Sequence, residues 1–274
     1  MDVVCTEPIK YKSKTQEFRL YYFSDFHIGA ASCDEKRLKR DIKEAAKDDN
    51  AIVFLGGDIL DCIVHRDSRR FDPKSIAPWI PLNRLDEIVQ VQVERAAELL
   101  APIAPKVMGM VTGNHEEAIR KHEGQDPSRQ LANELSAIAC RPIDSHGTCV
   151  WWRAAFERYG RKTVYDIYCH HGWMTGSDGN IVNKMDKALG KFHCDLLLVG
   201  HGHKRKVTEV TSLGVDQKSN ITSVTRNAVM SGAYLQTYME GTRGYGEDKG
   251  YDPTTMGVVP VTLRPHTKEI SVNL

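Results

Sequence analysis

Five short clusters set carboxylate, carboxamide and imidazole groups at widely separated points of the chain. They are Asp25-Phe26-His27, Gly57-Asp58, Gly113-Asn114-His115-Glu116, His170-His171-Gly172 and Gly200-His201-Gly202-His203. Oxygen donors mixed with neutral imidazoles suit Mn, Fe, Zn or Ni, and four or more histidines argue against a site built for Mg alone. Four clusters follow an apolar run (FRLYYFS, AIVFLG, KVMGMVT and DLLLV), and the other follows the strand-like VYDIYC. Packing alone gives no reason to place a ligand-type side chain after one buried strand after another. An open α/β sheet does, because it gathers its site along the carboxyl ends of its strands. His170 and His171 compete for one role, since adjacent strand residues point to opposite faces.

The elements that must carry these groups read as follows. Residues 18–24, 51–56 and 106–111 are strand-like. They alternate with helical patterns at 34–47, with Asp34 as cap, at 84–101, with the stripe Leu85, Ile88, Val89, Gln92, Ala96, Leu99 and Leu100, and at 127–139, with Pro127 in the first turn. Further on, strand-like runs lie near 148–156, 163–169, 195–199, 206–212, 221–231, 257–263 and 268–273, with one helix at 180–191. This predicts a second, more antiparallel sheet packed on the first with helices outside, within a single domain spanning 1–274. Two irregular insertions stand apart, 61–83 and 236–253, and loops of that length in a compact domain carry function or move.

Composition narrows the partners. The 37 basic and 36 acidic residues leave a formal charge of +1, which excludes polyanion binding by global charge while allowing a local basic rim. The N-terminus has no apolar core of signal-peptide length, and no stretch approaches the roughly 18 apolar residues of a membrane span. Seven scattered cysteines without a CxxC predict free thiols, Cys169 and Cys194 buried among them, in a reducing cytoplasm.

The order D-x-H, G-D, G-N-H-[DE], H, G-H-x-H resembles the calcineurin-like metallophosphoesterase superfamily, from about residue 20 to residue 210. The resemblance implies a four-layer α/β/β/α sandwich of two mixed sheets and a dinuclear centre of divalent transition metals, with Mn first and Fe, Zn or Ni as alternatives. It places Asp25, His27 and His203 on one ion and Asn114, His171 and His201 on the other, with Asp58 bridging. Where the family has H-G after a strand, the His before the Gly is the ligand, which favours His171 over His170. Two ions roughly 3.5–4 Å apart bring a bound water to a pKa of about 7, so the implied reaction is attack of a bridging hydroxide on phosphorus. His115 is then the acid over the leaving oxygen, oriented by Asp61 of G-D-x-x-D, and Glu116 lies behind the ligands.

For substrate, the motif S-D-F-H-I-G is similar to that of bacterial phosphodiesterases, pyrophosphohydrolases and repair nucleases. Protein phosphatases of the superfamily more often carry an Arg after G-D-x-x-D, where this chain has Cys62. The expected partner is therefore a nucleotide, a nucleotide pyrophosphate or a short single-stranded nucleic acid. A phosphomonoesterase or protein phosphatase is the alternative, and a non-catalytic binding subunit a remote one. His65, Arg66, Arg69, Arg70, Lys204, Arg205 and Lys206 are candidate phosphate contacts, and Trp173, Tyr245 and Tyr251 candidate stacking platforms.

Overall fold

Alternation within the strand Phe18–Phe23 (β3, after β1 Asp2–Cys5 and β2 Ile9–Lys10) decides how the layers stack. Leu20 and Tyr22 join a core shared with the second sheet, whereas Tyr21 and Phe23 join a core under the helices. The next strand, β4 (Ala51–Leu55), divides the same way, with Ile52 and Phe54 on one side and Val53 and Leu55 on the other. A strand buried on both faces must be covered on both, so period-two alternation between two apolar cores produces a layered sandwich. The computed structural model describes residues 1–68, 70–215, 218–238, 250 and 253–274. Arg69, Tyr245, Tyr251 and most of the 236–253 insertion lie outside the described residues.

The first sheet runs β13-β12-β3-β4-β5-β6, with β5 at Val107–Val111, β6 at Ser145–His146, β12 at Pro260–Arg264 and β13 at Glu269–Val272. The strands β3 to β6 are mutually parallel. The second sheet runs β1-β7-β8-β9-β11-β10, with β2 also paired to β7. Its remaining members are β7 (Cys149–Arg158), β8 (Arg161–His170), β9 (Leu196–Val199), β10 (Lys206–Val215) and β11 (Ile221–Met230). Helices α1 (Glu35–Lys47), α2 (Ile88–Leu100) and α4 (Pro127–Ala139) cover the first sheet, and α5 (Asp178–Lys191) covers the second. The layers are α/β/β/α, and both sheets are mixed.

Two expectations are corrected, and one helix is added. The runs at 257–263 and 268–273 do not belong to the second sheet: β12 pairs antiparallel with β3, Val261 opposite Leu20, and β13 closes the first sheet's edge. The helix expected from residue 84 begins as a tighter 3-10 turn over Leu82–Glu87, broken at Arg84, before α2 starts at Ile88. A further helix, α3 (Asn114–Glu123), starts on the third motif itself. It buries only Glu116 and Ile119, so it offers no apolar stripe to read. The 61–83 insertion is anchored, with Ala77 and Ile80 buried in the helix-side core.

All seven cysteines are free, and burial pushes the thiols of Cys62 and Cys169 up and that of Cys194 to about 11. Among the described residues no helix is long and apolar enough to cross a membrane.

Candidate metal centre

The clusters come together because their strands end together. Asp25 and His27 follow β3, Asp58 follows β4, Asn114 opens α3 just after β5, His171 follows β8, and His201 and His203 follow β9. Pairing continues beyond the strands: the Asp25 N–H donates to Gly57 O (3.0 Å), the His27 N–H to Asp58 O (3.0 Å) and the Ile28 N–H to Ile59 O (2.9 Å). The first two motifs are thereby fixed side by side. Across the sandwich, the His201 N–H donates to both Asp25 oxygens, at 3.1 and 2.9 Å, joining the last motif to the first.

Five of these residues stand in the left-handed backbone region: Asp25 (φ 56°), His27 (51°), Asp58 (48°), His201 (64°) and His203 (54°). Each non-glycine residue there costs on the order of 1–2 kcal/mol, so surrounding bonds must hold it. Glycines let the loops close on the carboxylates. A Cβ at Gly113 would overlap the Asp58 carboxylate, and one at Gly200 would overlap Ser24 and Asp25.

Ligand-type atoms form three overlapping groups, Asp25 with His27 and His203, Asp58 with His171 and His201, and His27 with Asp58 and His115. His203 Nε2 lies 3.3 Å from Asp25 Oδ1 and 3.4 Å from His27 Nε2. His171 Nε2 lies 3.0 Å from Asn114 Oδ1 and 3.2 Å from Asp58 Oδ2, and the second Asp58 oxygen accepts the His115 N–H at 2.9 Å. Asp58 Oδ2 is also 4.0 Å from His27 Nε2, so this carboxylate stands between the groups.

The donor set fits a cation. His171 Nδ1 is 2.9 Å from Gly56 O, and a carbonyl only accepts, so Nδ1 carries the hydrogen. In the neutral ring, the Nε2 lone pair then points at two oxygen acceptors, and only a positive charge among them removes the repulsion. Without a metal that charge is a proton: burial pushes His171 down, but Asp58 and then Asp25 overcome it and raise the imidazole to about 10. His27 Nδ1 is buried with no hydrogen-bond partner among the described residues, and the nearest carboxylate oxygen, Asp61 Oδ1, is 3.7 Å away. His171 rather than His170 therefore joins the cluster. The His170 ring turns away, with Nδ1 accepting the Gly172 N–H (2.8 Å) and the Trp173 ring edge-on at 4.4 Å.

His115 stands next to the first group, its ring 4.6 Å from that of His27. The orienting contact expected from the Asp61 carboxylate takes a different form. His115 Nδ1 is 2.5 Å from the Asp61 backbone carbonyl, while the carboxylate Oδ1 is 3.9 Å away. The carbonyl fixes the hydrogen on Nδ1 and leaves Nε2 free.

Glu116 is buried and accepts three backbone N–H groups, from Asp58 (3.0 Å), Leu60 (3.0 Å) and Gly113 (3.1 Å), bracing the second and third motifs against each other. Burial and the nearby Asp58 charge push it up to about 7. Two further supports carry only a weak sequence signal. Ser24 Oγ–H donates to Asp25 Oδ2 at 2.5 Å. Gln92, a lone amide in the apolar α2 stripe, is fully buried and accepts the Cys62 N–H at 2.9 Å, pinning the backbone just after Asp61. Gln92→Leu would leave that N–H buried without an acceptor. Urea unfolding should report a loss of about 1–2 kcal/mol, and unchanged stability would show that Gln92 only fills space.

The basic residues noted in the sequence mostly face carboxylates. His65 pairs with Asp86 (3.5 Å), Arg66 with Glu123 (3.4 Å), Arg70 with Asp67 (2.6 Å), and Lys204 and Lys206 with Asp178 (2.9 and 2.7 Å). Arg205 alone of the described ones has no ion-pair partner, and its buried Nε no hydrogen-bond partner, among the described residues.

Residues 18–205 match the model of the calcineurin-like phosphoesterase family, and the chain belongs to that family. No curated protein matches it. Several solved structures are similar. One is a predicted phosphoesterase from Streptococcus pneumoniae (16% identity, 90% of this chain and 84% of that one, TM-score 0.32). Another is the NAD nucleotidase NadN from Haemophilus influenzae (11%, 96% and 50%, TM-score 0.40), half of whose length this chain spans. A third is Vps29 complexed with Zn from Entamoeba histolytica (10%, 93% and 97%, TM-score 0.36).

Proposed function

We propose that the protein is a dinuclear-metal phosphoester hydrolase that prefers diesters of nucleotide type. The observation that carries this reading is the overlap of the ligand groups at Asp58, which stands with His171 and His201 and also reaches His27 of the group formed with Asp25 and His203. Asp25, His27 and His203 would hold one divalent ion and Asn114, His171 and His201 the other, with Asp58 touching both. Two such ions supply a water deprotonated near neutral pH and positive charge for the phosphoryl oxygens. The chain's own contribution is positional. The Gly56 carbonyl fixes the His171 tautomer, the left-handed loops aim the carboxylates inward, and the Asp61 carbonyl accepts the His115 Nδ1 hydrogen, so that the ring, when doubly protonated, would present its Nε2–H to the leaving oxygen.

Preference for a diester follows from charge. A monoester dianion calls for fixed cations beyond the metals, and nearly every described basic residue near the motifs is already tied to a carboxylate. A monoanionic diester needs less charge and more room. Trp173, 43% exposed beside His170, offers a ring on which a base can stack.

The test is metal-stripped protein re-loaded with Mn, Zn, Ni or Mg and assayed on paired aryl phosphate mono- and diesters, with ions per chain counted by elemental analysis. Two ions per chain and a higher kcat/KM on the diester are expected. A monoester preference above about tenfold, with Trp173→Ala silent on short oligonucleotides, would replace the diester reading by the phosphomonoesterase. Inactivity with every metal would leave a binding subunit.

A further inference from the structure

We infer that a cavity alongside α3 receives the leaving substituent of the diester, and that this substituent is an uncharged nucleoside. This rests on the phosphodiesterase reading above. The cavity, of about 550 Å³, lies between the stretch after Asp61, the start of α2, and the helices α3 and α4. Its volume falls within the range of about 300–1,000 Å³ usual for small-molecule sites.

Position ties it to the reaction. Ile119 and Glu123 line it, and they stand one and two turns beyond His115 on the same helix. At 1.5 Å per residue these are about 6 and 12 Å along the axis from His115, and the four-residue spacing keeps them on its side of the helix. A substituent leaving over His115 therefore extends along α3 into the cavity, over the reach of a ribose and a base.

Lining chemistry selects the class. Val64, Val89 and Ile119 give an apolar floor suited to a flat ring. Gln90, Gln125 and Gln130 place amides around it; Gln90 Nε2 donates to Glu94 (3.3 Å), and Gln130 Oε1, without a hydrogen-bond partner among the described residues, is shielded from solvent and meets a ligand once its side chain turns into the cavity. An amide offers both a donor and an acceptor, matching the edge of a base with an exocyclic amino group, whereas an alkyl substituent would leave Gln130 unpaired. A phosphate-bearing substituent is disfavoured. The two basic side chains of the rim are engaged, Arg66 with Glu123 and His65 with Asp86, and Glu87 is itself paired with Arg84 (3.1 Å), so among the described residues the rim offers a phosphate no spare cation. Of the substrates considered above, a dinucleotide or short strand fits, and a nucleotide pyrophosphate, whose leaving group is itself a phosphate, does not.

The experiment uses the metal-loaded full chain. Calorimetric titration with adenosine or cytidine, which carry no phosphate, should give saturable binding that weakens roughly threefold to tenfold in Gln130→Leu. Hydrolysis is compared for a dinucleotide and for the methyl ester of the same nucleotide, whose leaving alcohols are of similar basicity. The dinucleotide should win in kcat/KM by roughly tenfold, and that ratio should shrink in Gln130→Leu. Glu123→Lys, at a partly exposed position, should move selectivity toward a dinucleoside pyrophosphate. Equal kcat/KM for dinucleotide and methyl ester, or nucleoside binding untouched by Gln130→Leu, overturns the inference while aryl diester hydrolysis keeps the hydrolase reading. If no ester is hydrolysed with any metal, the hydrolase reading falls alone, and the titration still decides whether the cavity takes a nucleoside.

Discussion

Asp58→Ala is expected to abolish metal-supported hydrolysis and to drop metal content below two ions per chain. The carboxylate stands in one ligand set and reaches the other, 3.2 Å from His171 Nε2 and 4.0 Å from His27 Nε2. Its other oxygen accepts the His115 N–H, so alanine also loosens the start of α3. Loss of an outer partner of a metal ligand costs roughly 10–100-fold, and removal of a ligand shared by two ions should exceed that, about 10³-fold or more in kcat. The folded metal-free state should not suffer equally. Asp58 is buried, a penalty that would push its carboxyl up, and His171 with the other imidazoles instead holds it well below the usual carboxylate range. The alanine variant removes both the penalty and the compensation. Elemental analysis and kcat on an aryl diester, with circular dichroism as the fold control, check the expectation. A variant retaining two ions and most of its activity would show that Asp58 does not bridge.

How far the chain announced this site depends on which physical signal is asked for. Apolar runs ending in Gly and a polar ligand type are legible because a buried strand needs an apolar run and a sharp exit needs glycine. Residues 18–24, 51–56 and 195–199 accordingly sit within a residue or two of the strands observed. Period-two alternation says that a strand is buried but not in which sheet, which is why β12 and β13 were expected in the second sheet and lie in the first. The helix α3 was invisible for the opposite reason: its sequence NHEEAIRKHE is polar on nearly every face, and the tertiary contacts of Glu116 and Ile119 fix it.

Within the site, residue types were legible and backbone roles were not. Nothing in the letters DFH or GHGH signals a left-handed turn at each ligand, since Asp and His adopt it only where neighbours hold them. Charge was misleading in one respect. The basic residues of the first insertion and of the last motif read as a phosphate-binding rim, but a sequence does not show that Glu123, Asp67 and Asp178 stand within reach of them. Gln92 had a signal, an amide where the stripe calls for an apolar residue, yet its partner is the backbone N–H of Cys62, thirty positions away.

His115→Ala should keep both ions and lose phosphoryl transfer by about 10²–10⁴-fold, the worth of a positioned acid. His115 reaches the ligand cluster from the first turn of α3 and stands within ligand distance of His27 and Asp58, but the proposed ligand set does not include it, so retained metal content is part of the test. The loss should shrink with a leaving group that needs no proton, such as p-nitrophenolate, and be largest for an alkoxide, because only the second requires the Nε2 proton. The contact with Asp61 sharpens the expectation. The backbone carbonyl, at 2.5 Å, rather than the carboxylate, at 3.9 Å, holds the ring. Asp61→Asn leaves that carbonyl in place, so it should preserve the leaving-group dependence and cost far less than His115→Ala. The same carboxylate lies 3.7 Å from the buried Nδ1 of His27, which makes no hydrogen bond among the described residues, so the loss that Asn does cause should fall on metal content. A plot of log kcat/KM against leaving-group basicity for the three proteins separates these roles. Parallel lines for wild type and His115→Ala would leave charge stabilisation, not proton donation, as the work of His115.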